Sequence, residues 1–505
     1  MTRNGERALN LFDKRSGMLW LFFAASILLL SMLAFFWVGF LGSDDALYWR
    51  GASGWLNHFP YLGGDHWTLR HTLVVPMALA RLIFGNSAAS LALPTILYAE
   101  GTIAIIGVLL WRNSGPLTAI IALVLISTYP QMIIYSSTAD IDVGELFFVL
   151  LAFFLLSSVF ARLNGRKPSP ADQRALFFAG TSLGLALLSR ETAVFSVAAV
   201  AVLCLAQYKL ERKYYLLVFL GVIAVVGLEI TYLWSLSGHF LYRYSLDAHH
   251  DNTINRWIDQ GAAIPFVHPA IDPIIMLLLN HNFGLVSWIA IPLSIWVSRR
   301  RDLSDGERIL VVLMGTLALV WSVLAAALWT ALVLIPRYYL IPAICVLILA
   351  AIALNKMWQD GRRWLPCLLV ALLVASSMGA LALDNRNFMI GEHKLVELAV
   401  SRNITIHTDK QTLRRADLLL EWADARGRVT DAPFHSGDFV FVNPLRNPSK
   451  LNPSIDWKLL YESPIPFSGG HLIACSLPDR LVPKAMRGAG GCQHDSLKLY
   501  QVGAN

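Results

Sequence analysis

Two adjacent carboxylates, Asp44 and Asp45, stand in "GSDDALYWR" (42–50), directly after the first long apolar run. A carboxylate placed at a reacting hydroxyl can act as its general base. The same residues suit a plainer role, with Ser43 capping a helix whose first turn carries the two acids. A second acidic group lies in "YSSTADIDVGELFF", where Tyr135 precedes Asp140, Asp142 and Glu145 at the start of another apolar run. N-capping competes there with a carboxylate that orients an acceptor or a base.

Cations and phenols accompany the acids. Arg50 follows the first pair, and Trp67, Arg70 and His71 stand in "WTLRHTL". Arg190 and Glu191 lie in "LLSRETAV", with hardly any loop between two apolar runs, and Arg337, Tyr338 and Tyr339 lie in "IPRYYLIP". A guanidinium fork suits phosphate oxygens. The plainer readings are contact with anionic headgroups and an interfacial aromatic belt. An Arg–Glu pair with little access to water is costly unless it has a task. Loop 237–276 carries His239, Arg243, His249, His250, Asp251 and His268. Its His-His-Asp run raises a metal, but no ligand spacing is diagnostic, and a solvated loop is the favoured reading.

The elements that position these groups follow from composition. Of 505 residues, 56% are hydrophobic and 15% charged, against about 25% charged in soluble domains. Apolar runs fall near 18–40, 90–111, 116–135, 143–161, 175–189, 192–208, 214–236, 277–297, 309–335, 338–355 and 364–383. Each is read as a span, so the fold expected is an all-α polytopic membrane protein of about eleven helices. The net charge of +7 sits in short loops between these runs, which argues against nucleic acid as a partner.

Basic loops mark the cytoplasmic side. Loops 162–174, 209–213, 299–308 and 356–363 are the basic ones, and Arg3, Arg7, Lys14 and Arg15 precede the first run. That run is longer than a signal-peptide core and reads as an uncleaved anchor with the N-terminus inside. Counting the spans, the short run 72–84 does not cross and lies in the interface. Segments 41–89, 136–142, 189–191, 237–276, 335–338 and 384–505 then share the extracytoplasmic face.

After Leu383 the composition turns polar. Helices at 393–401 and 411–423 and strands in 403–409 and 438–444 point to a small extracytoplasmic α/β domain over 384–505, behind a transmembrane domain of 1–383. Cys204, Cys345 and Cys367 lie in apolar runs and read as buried small hydrophobes. Cys475 and Cys492 are free to pair if that part is extracytoplasmic.

The chain resembles the GT-C superfamily of membrane glycosyltransferases that use polyprenyl-phosphate sugars. It is similar to protein O-mannosyltransferases, lipid A aminoarabinose transferases and rhizobial galacturonosyltransferases. The features that carry the likeness are "SDDALYW" after the first run, "LRHTLVVPMALARLIFGNS", Tyr135 with Asp142, "SRETA" at 189–193 and "RYYLIP" at 337–342. Many relatives have Pro-Pro where this chain has Arg70-His71, and the acidic pair is Asp-Asp rather than Asp-Glu. The WWD-type motif of oligosaccharyltransferases is absent.

The resemblance implies an inverting transferase in a bacterial inner membrane, with the C-terminal part periplasmic. A monosaccharide would pass from a polyprenyl phosphate to a lipid, glycan or protein acceptor, with membrane lipids around it. Asp44 or Asp45 is the catalytic base; adjacent helical residues point about 100° apart, so one of them serves, and the family favours Asp44. Arg70, Arg190 and Arg337 are candidates for the leaving phosphate. Arg50, His71, Tyr135, Asp140, Asp142, Glu191, Tyr338 and Tyr339 complete the substrate-binding set. No cofactor is assigned, and a divalent cation stays open. The alternatives are a flippase or transporter of lipid-linked sugars, disfavoured by the lack of an internal repeat, and an O-antigen ligase or polymerase.

Overall fold

The computed structural model describes residues 3–163, 166–248, 271–328, 336–383, 389–446, 451, 453–454, 456–465 and 496–503. Most of the chain is helical. The first helices are α1 (Arg3–Phe35), α2 (Asp44–Asn57), α3 (His71–Phe84), α4 (Ala88–Ser114), α5 (Pro116–Ser127), α6 (Pro130–Ser137), α7 (Asp142–Leu163) and α8 (Pro170–Ser189). A 3-10 turn at Glu191–Ala193 leads to α9 (Val194–Leu205), α10 (Arg212–Ser237), α11 (Tyr242–Ala248) and α12 (Asp272–Leu279). Then come α13 (Ile291–Ser298), α14 (Asp305–Ala327), α15 (Leu340–Gln359) and α16 (Trp364–Leu383).

Among the described residues, seven helices are long and apolar enough to cross a membrane, or eight if the bent pair α5–α6 is one span. The protein is an integral membrane protein, but the count of eleven spans is not reached by this measure. The reasons are local. Run 116–135 breaks at Tyr129-Pro130 with a 59° bend. Run 175–189 lies in α8, whose first turns carry Asp172, Gln173 and Arg174. Run 192–208 is a twelve-residue helix behind a 3-10 turn. Run 277–297 is interrupted by a 3-10 turn at His281–Phe283 that ends at Gly284, with φ +51°. The segment 329–335 lies outside the described residues. The α3 helix has 14 residues, about 21 Å at 1.5 Å per residue, short of the ~30 Å hydrocarbon core.

One core runs through the bundle and includes Leu29, Ile106, Phe153, Trp321 and Ile348; α15 is buried along most of its length. Cys345 is buried there and Cys204 half-buried, but Cys367, expected inside, is exposed on α16, a helix apolar all round.

A second core joins α2 and α3 to the C-terminal part through Trp49, Met77, Leu395, Leu419, Phe441 and Leu499. The expected helices form there as α17 (Ile390–Arg402) and α18 (Lys410–Trp422), and the expected strands as β1 (Ile406–His407) and β3 (Phe439–Val442). With β2 (Val429–Thr430), β4 (Lys458–Pro464) and β5 (Ser496–Gln501) they make one mixed sheet ordered β2-β1-β3-β5-β4. The β1 strand runs parallel to β2 and β3, while β5 pairs antiparallel with β3 and β4. Cys475 and Cys492 lie outside the described residues.

Candidate active site

The chain leaves α1 at Phe35, runs without regular structure to Ser43 and turns into α2. Ser43 does not cap that helix with its side chain. Asp45 does the work instead. Its Oδ2 accepts the backbone N–H of Leu41 at 2.5 Å, and its Oδ1 accepts those of Ser43 at 2.7 Å and Ala46 at 3.0 Å. The residue is 4% exposed, and burial pushes its carboxyl up to about 6 against those three donors. Asp45 is thus consumed in folding the loop.

Asp44 points elsewhere. Its side chain is 45% exposed, and Oδ2 lies 4.0 Å from Nη1 of Arg337. It also takes a hydrogen bond from the Trp67 side chain, which can come only from the indole N–H. Burial raises its carboxyl above the ordinary value; Arg337 and Trp67 oppose that rise and Asp140 adds to it.

Two cavities meet at Asp44. One, of about 290 Å³, is lined by Asp44, Asp45, Tyr135, Asp140, Asn282 and Arg337, among others. The other, of about 390 Å³, is lined by Asp44, Arg50, His66, Trp67, Arg337 and Arg414, among others. Ser43, Asp44 and Arg337 belong to both walls.

Behind the first cavity, Arg190 forms a buried ion pair with Asp142 at the start of α7. Its guanidinium lies over the Tyr338 ring, 4.2 Å from the centroid, and that of Arg337 lies 5.8 Å from the same ring. Burial pushes Asp140 upward, but a hydrogen bond with Asp142 and the charges of Arg337 and Arg190 hold it below the ordinary carboxylate range. Asp44, Asp140, Asp142, Arg190, Arg337 and Tyr338 therefore form one group drawn from four segments. Tyr339 turns into the core, edge-on to Phe283.

Arg70 and His71 belong to a neighbouring cluster. Arg70 pairs with Glu191. Arg243 donates to Glu191 at 2.7 and 3.0 Å and to Glu229 at 2.7 Å, and Nδ1 of His71 lies 2.9 Å from Glu229. Thr192 donates to Glu145 at 2.7 Å.

Glu229, Asn282, Arg414 and Arg415 were not among the residues that the sequence pointed to. Glu229 is a lone acid inside an apolar run and was the one legible signal. Arg415 donates to the carbonyl of Leu41 at 2.7 Å. A Cβ on Gly42, at φ +64°, would meet the Arg415 carbonyl at 2.7 Å. Arg50 pairs with Asp417 at 2.9 Å, and Trp422 packs on Trp49 with centroids 4.8 Å apart. The α18 helix is thereby fastened to the loop that carries the acidic pair.

Among the described residues no group of three or more His, Cys, Asp or Glu is placed to hold a metal ion. His249, His250, Asp251 and His268 lie outside the described residues.

A family model, dolichyl-phosphate-mannose-protein mannosyltransferase, matches residues 71–232. No curated protein matches the chain by sequence. Among solved structures, the fold is similar to ArnT from Cupriavidus metallidurans in its apo state, at 11% identity and a TM-score of 0.56, over 81% of this chain and 85% of that one. The same ArnT bound to undecaprenyl phosphate matches at 13% identity and a TM-score of 0.52, over 81% and 77%. The archaeal oligosaccharyltransferase AglB from Archaeoglobus fulgidus, in complex with an inhibitory peptide and a dolichol-phosphate, matches at 13% identity and a TM-score of 0.53. That match covers 82% of this chain and 64% of AglB, so the chain spans less than two thirds of its length. The family model and the shared fold support the GT-C superfamily resemblance.

Proposed function

We propose that the protein is an inverting glycosyltransferase of the extracytoplasmic face. It moves one monosaccharide from a polyprenyl phosphate to a hydroxyl of a lipid, glycan or protein acceptor. The observation that carries this reading is the position of Asp44 and Arg337, side by side on a wall shared by two cavities. One cavity then serves the donor and the other the acceptor, with the base and a phosphate-binding cation between them.

The step is a single displacement. The acceptor hydroxyl gives its proton to Asp44 as its oxygen bonds to the anomeric carbon. The bond from that carbon to the phosphate oxygen breaks, its electron pair leaves with the phosphate, and the anomeric configuration inverts. The leaving phosphate needs charge stabilisation more than an acid. Arg337 supplies it, and Arg190 supports from behind Tyr338. Arg70, the third arginine considered, has its charge matched by Glu191 and serves the frame of the site. Residues 384–505 act as one domain, which through α18 walls the acceptor side.

The test compares glycolipids and glycoproteins by mass between cells that make the protein and cells that lack it. The expected result is one class of acceptor that loses a single sugar mass without the protein and regains it on complementation. An unchanged acceptor population, with the lipid-linked sugar itself redistributed across the membrane, would instead favour a flippase.

A further inference from the structure

The larger cavity says more about the acceptor than that it is present. Its wall holds one carboxylate, Asp44, and three arginines: Arg50, Arg337 and Arg414. A neutral hydroxyl acceptor needs the carboxylate and calls for no such surplus of cations. An anionic acceptor does, because its charge would otherwise be repelled by Asp44.

Resting on the transferase reading above, we infer that the acceptor carries a phosphate or carboxylate close to the hydroxyl that is modified. Arg414, assisted by Arg50, binds that anion. Arg337 is engaged at the junction of the two cavities, which leaves the other two for the acceptor. Arg414 is exposed and makes no hydrogen bond or ion pair among the described residues. Arg50 is held by Asp417 in a bridge whose side chains are 55% and 39% exposed. Such exposed pairs contribute little, so Arg50 can turn to a bidentate oxyanion.

The Arg414 side is a built wall. The next residue, Arg415, is bonded to Leu41, and Gly42 fits against its backbone. Trp422, one helix end away, packs on Trp49 and Phe40. The guanidinium of Arg414 is thus carried on a helix fastened to the same loop as Asp44. Trp67, tilted 33° against the His66 ring with centroids 3.7 Å apart and bonded to Asp44, lines the cavity beside the base and offers an aromatic ring for a sugar to pack on. At about 390 Å³ the cavity is near the small end of ligand sites. It suits one sugar with its charged substituent, the rest of the acceptor lying outside.

The test uses the full chain in its membrane. Lipid and glycan fractions are compared by negative-ion mass spectrometry from cells with the wild-type protein, without it, and with Arg414→Gln or Arg414→Lys. The expected product carries a phosphate or a carboxylate on or next to the modified sugar, and the fragment masses tell the two apart. Arg414→Gln should lower its yield about tenfold, the worth of one hydrogen bond to a charged group, at equal protein in the membrane. Arg414→Lys should restore most of it. A sugar-modified acceptor that is neutral around the modified residue overturns the inference and leaves the transferase reading standing, and so does full yield from Arg414→Gln. No sugar-modified species in any fraction overturns both.

Discussion

Around Glu191 the charges close on one another: Arg70 and Arg243 both grip its carboxylate, Arg243 also holds Glu229, and Glu229 meets His71. Around Asp44, Arg190 and Asp142 pair behind the cavity wall, but the two groups at its front stay apart. Arg337 is 4.0 Å from Asp44 and lines both cavities. The first cluster ties α3, the turn before α9, α10 and α11 together. Buried ion pairs add little net stability over apolar packing, yet breaking one is expensive. Such a network fixes geometry and has little left to offer a ligand. The second cluster leaves a carboxylate and a guanidinium facing space, where a substrate can supply the missing partner.

The contrast can be broken at three positions away from the acidic pair and in the pH dependence of Asp44 itself. The largest effect is expected at Glu229→Leu, which removes the acceptor that Arg243 and His71 share. Stability should fall by about 3–5 kcal/mol, seen as a lower melting temperature of the purified protein, with near-normal transfer per folded molecule. Arg337→Gln should do the reverse. Folding should be kept and transfer should fall roughly 10²–10³-fold, the usual worth of one preorganised charge-stabilising donor. Equal stability loss in both variants would erase the distinction between the clusters.

Gly42→Ala is next. A Cβ there needs φ +64° and collides with the Arg415 backbone. A cost of about 1–2 kcal/mol for the left-handed conformation should appear as roughly tenfold slower transfer, because the loop moves relative to α18. The smallest effect is a shift in pH dependence. A base works when deprotonated, so transfer should be lost as pH falls through the pKa of Asp44. Burial raises that group, so the midpoint of the acid limb in kcat/KM should lie above the ordinary value of about 3.9.

Much of the frame was legible because apolar runs of about twenty residues have few alternatives. The acids at 44–45 and 140–142 and the arginines at 190 and 337 stood out for the same reason, as charges at the ends of such runs. The division of labour inside the acidic pair did not. It depends on where the N–H groups of Leu41, Ser43 and Ala46 point, a property of the folded loop. The partners of Arg70 were equally hidden, since Glu191 lies 121 residues away. Glu229 lies inside an apolar run, and nothing in the sequence around Arg414 and Arg415 sets them apart from other basic residues of a helix. Their role comes only from the docking of α18 on the first loop. The break in run 277–297 turns on Gly284 and the side chain of Asn280, which accepts the N–H of Asn282.

The central claim is that of two adjacent acids one folds the loop and the other takes the proton. It is tested most directly by initial transfer rates of Asp44→Asn and Asp45→Asn side by side, at saturating donor and per folded molecule. Asn keeps the shape and one accepting oxygen but takes up no proton at neutral pH; at position 45 its NH2 replaces an oxygen that accepts a backbone N–H. The expected result is a loss of about 10²–10⁴-fold in Asp44→Asn with donor affinity unchanged. Asp45→Asn, which leaves a backbone N–H of the loop without its acceptor, should lose about 1–3 kcal/mol of stability and keep transfer within about tenfold of wild type. Near wild-type transfer by Asp44→Asn, or the larger rate loss in Asp45→Asn, would contradict it.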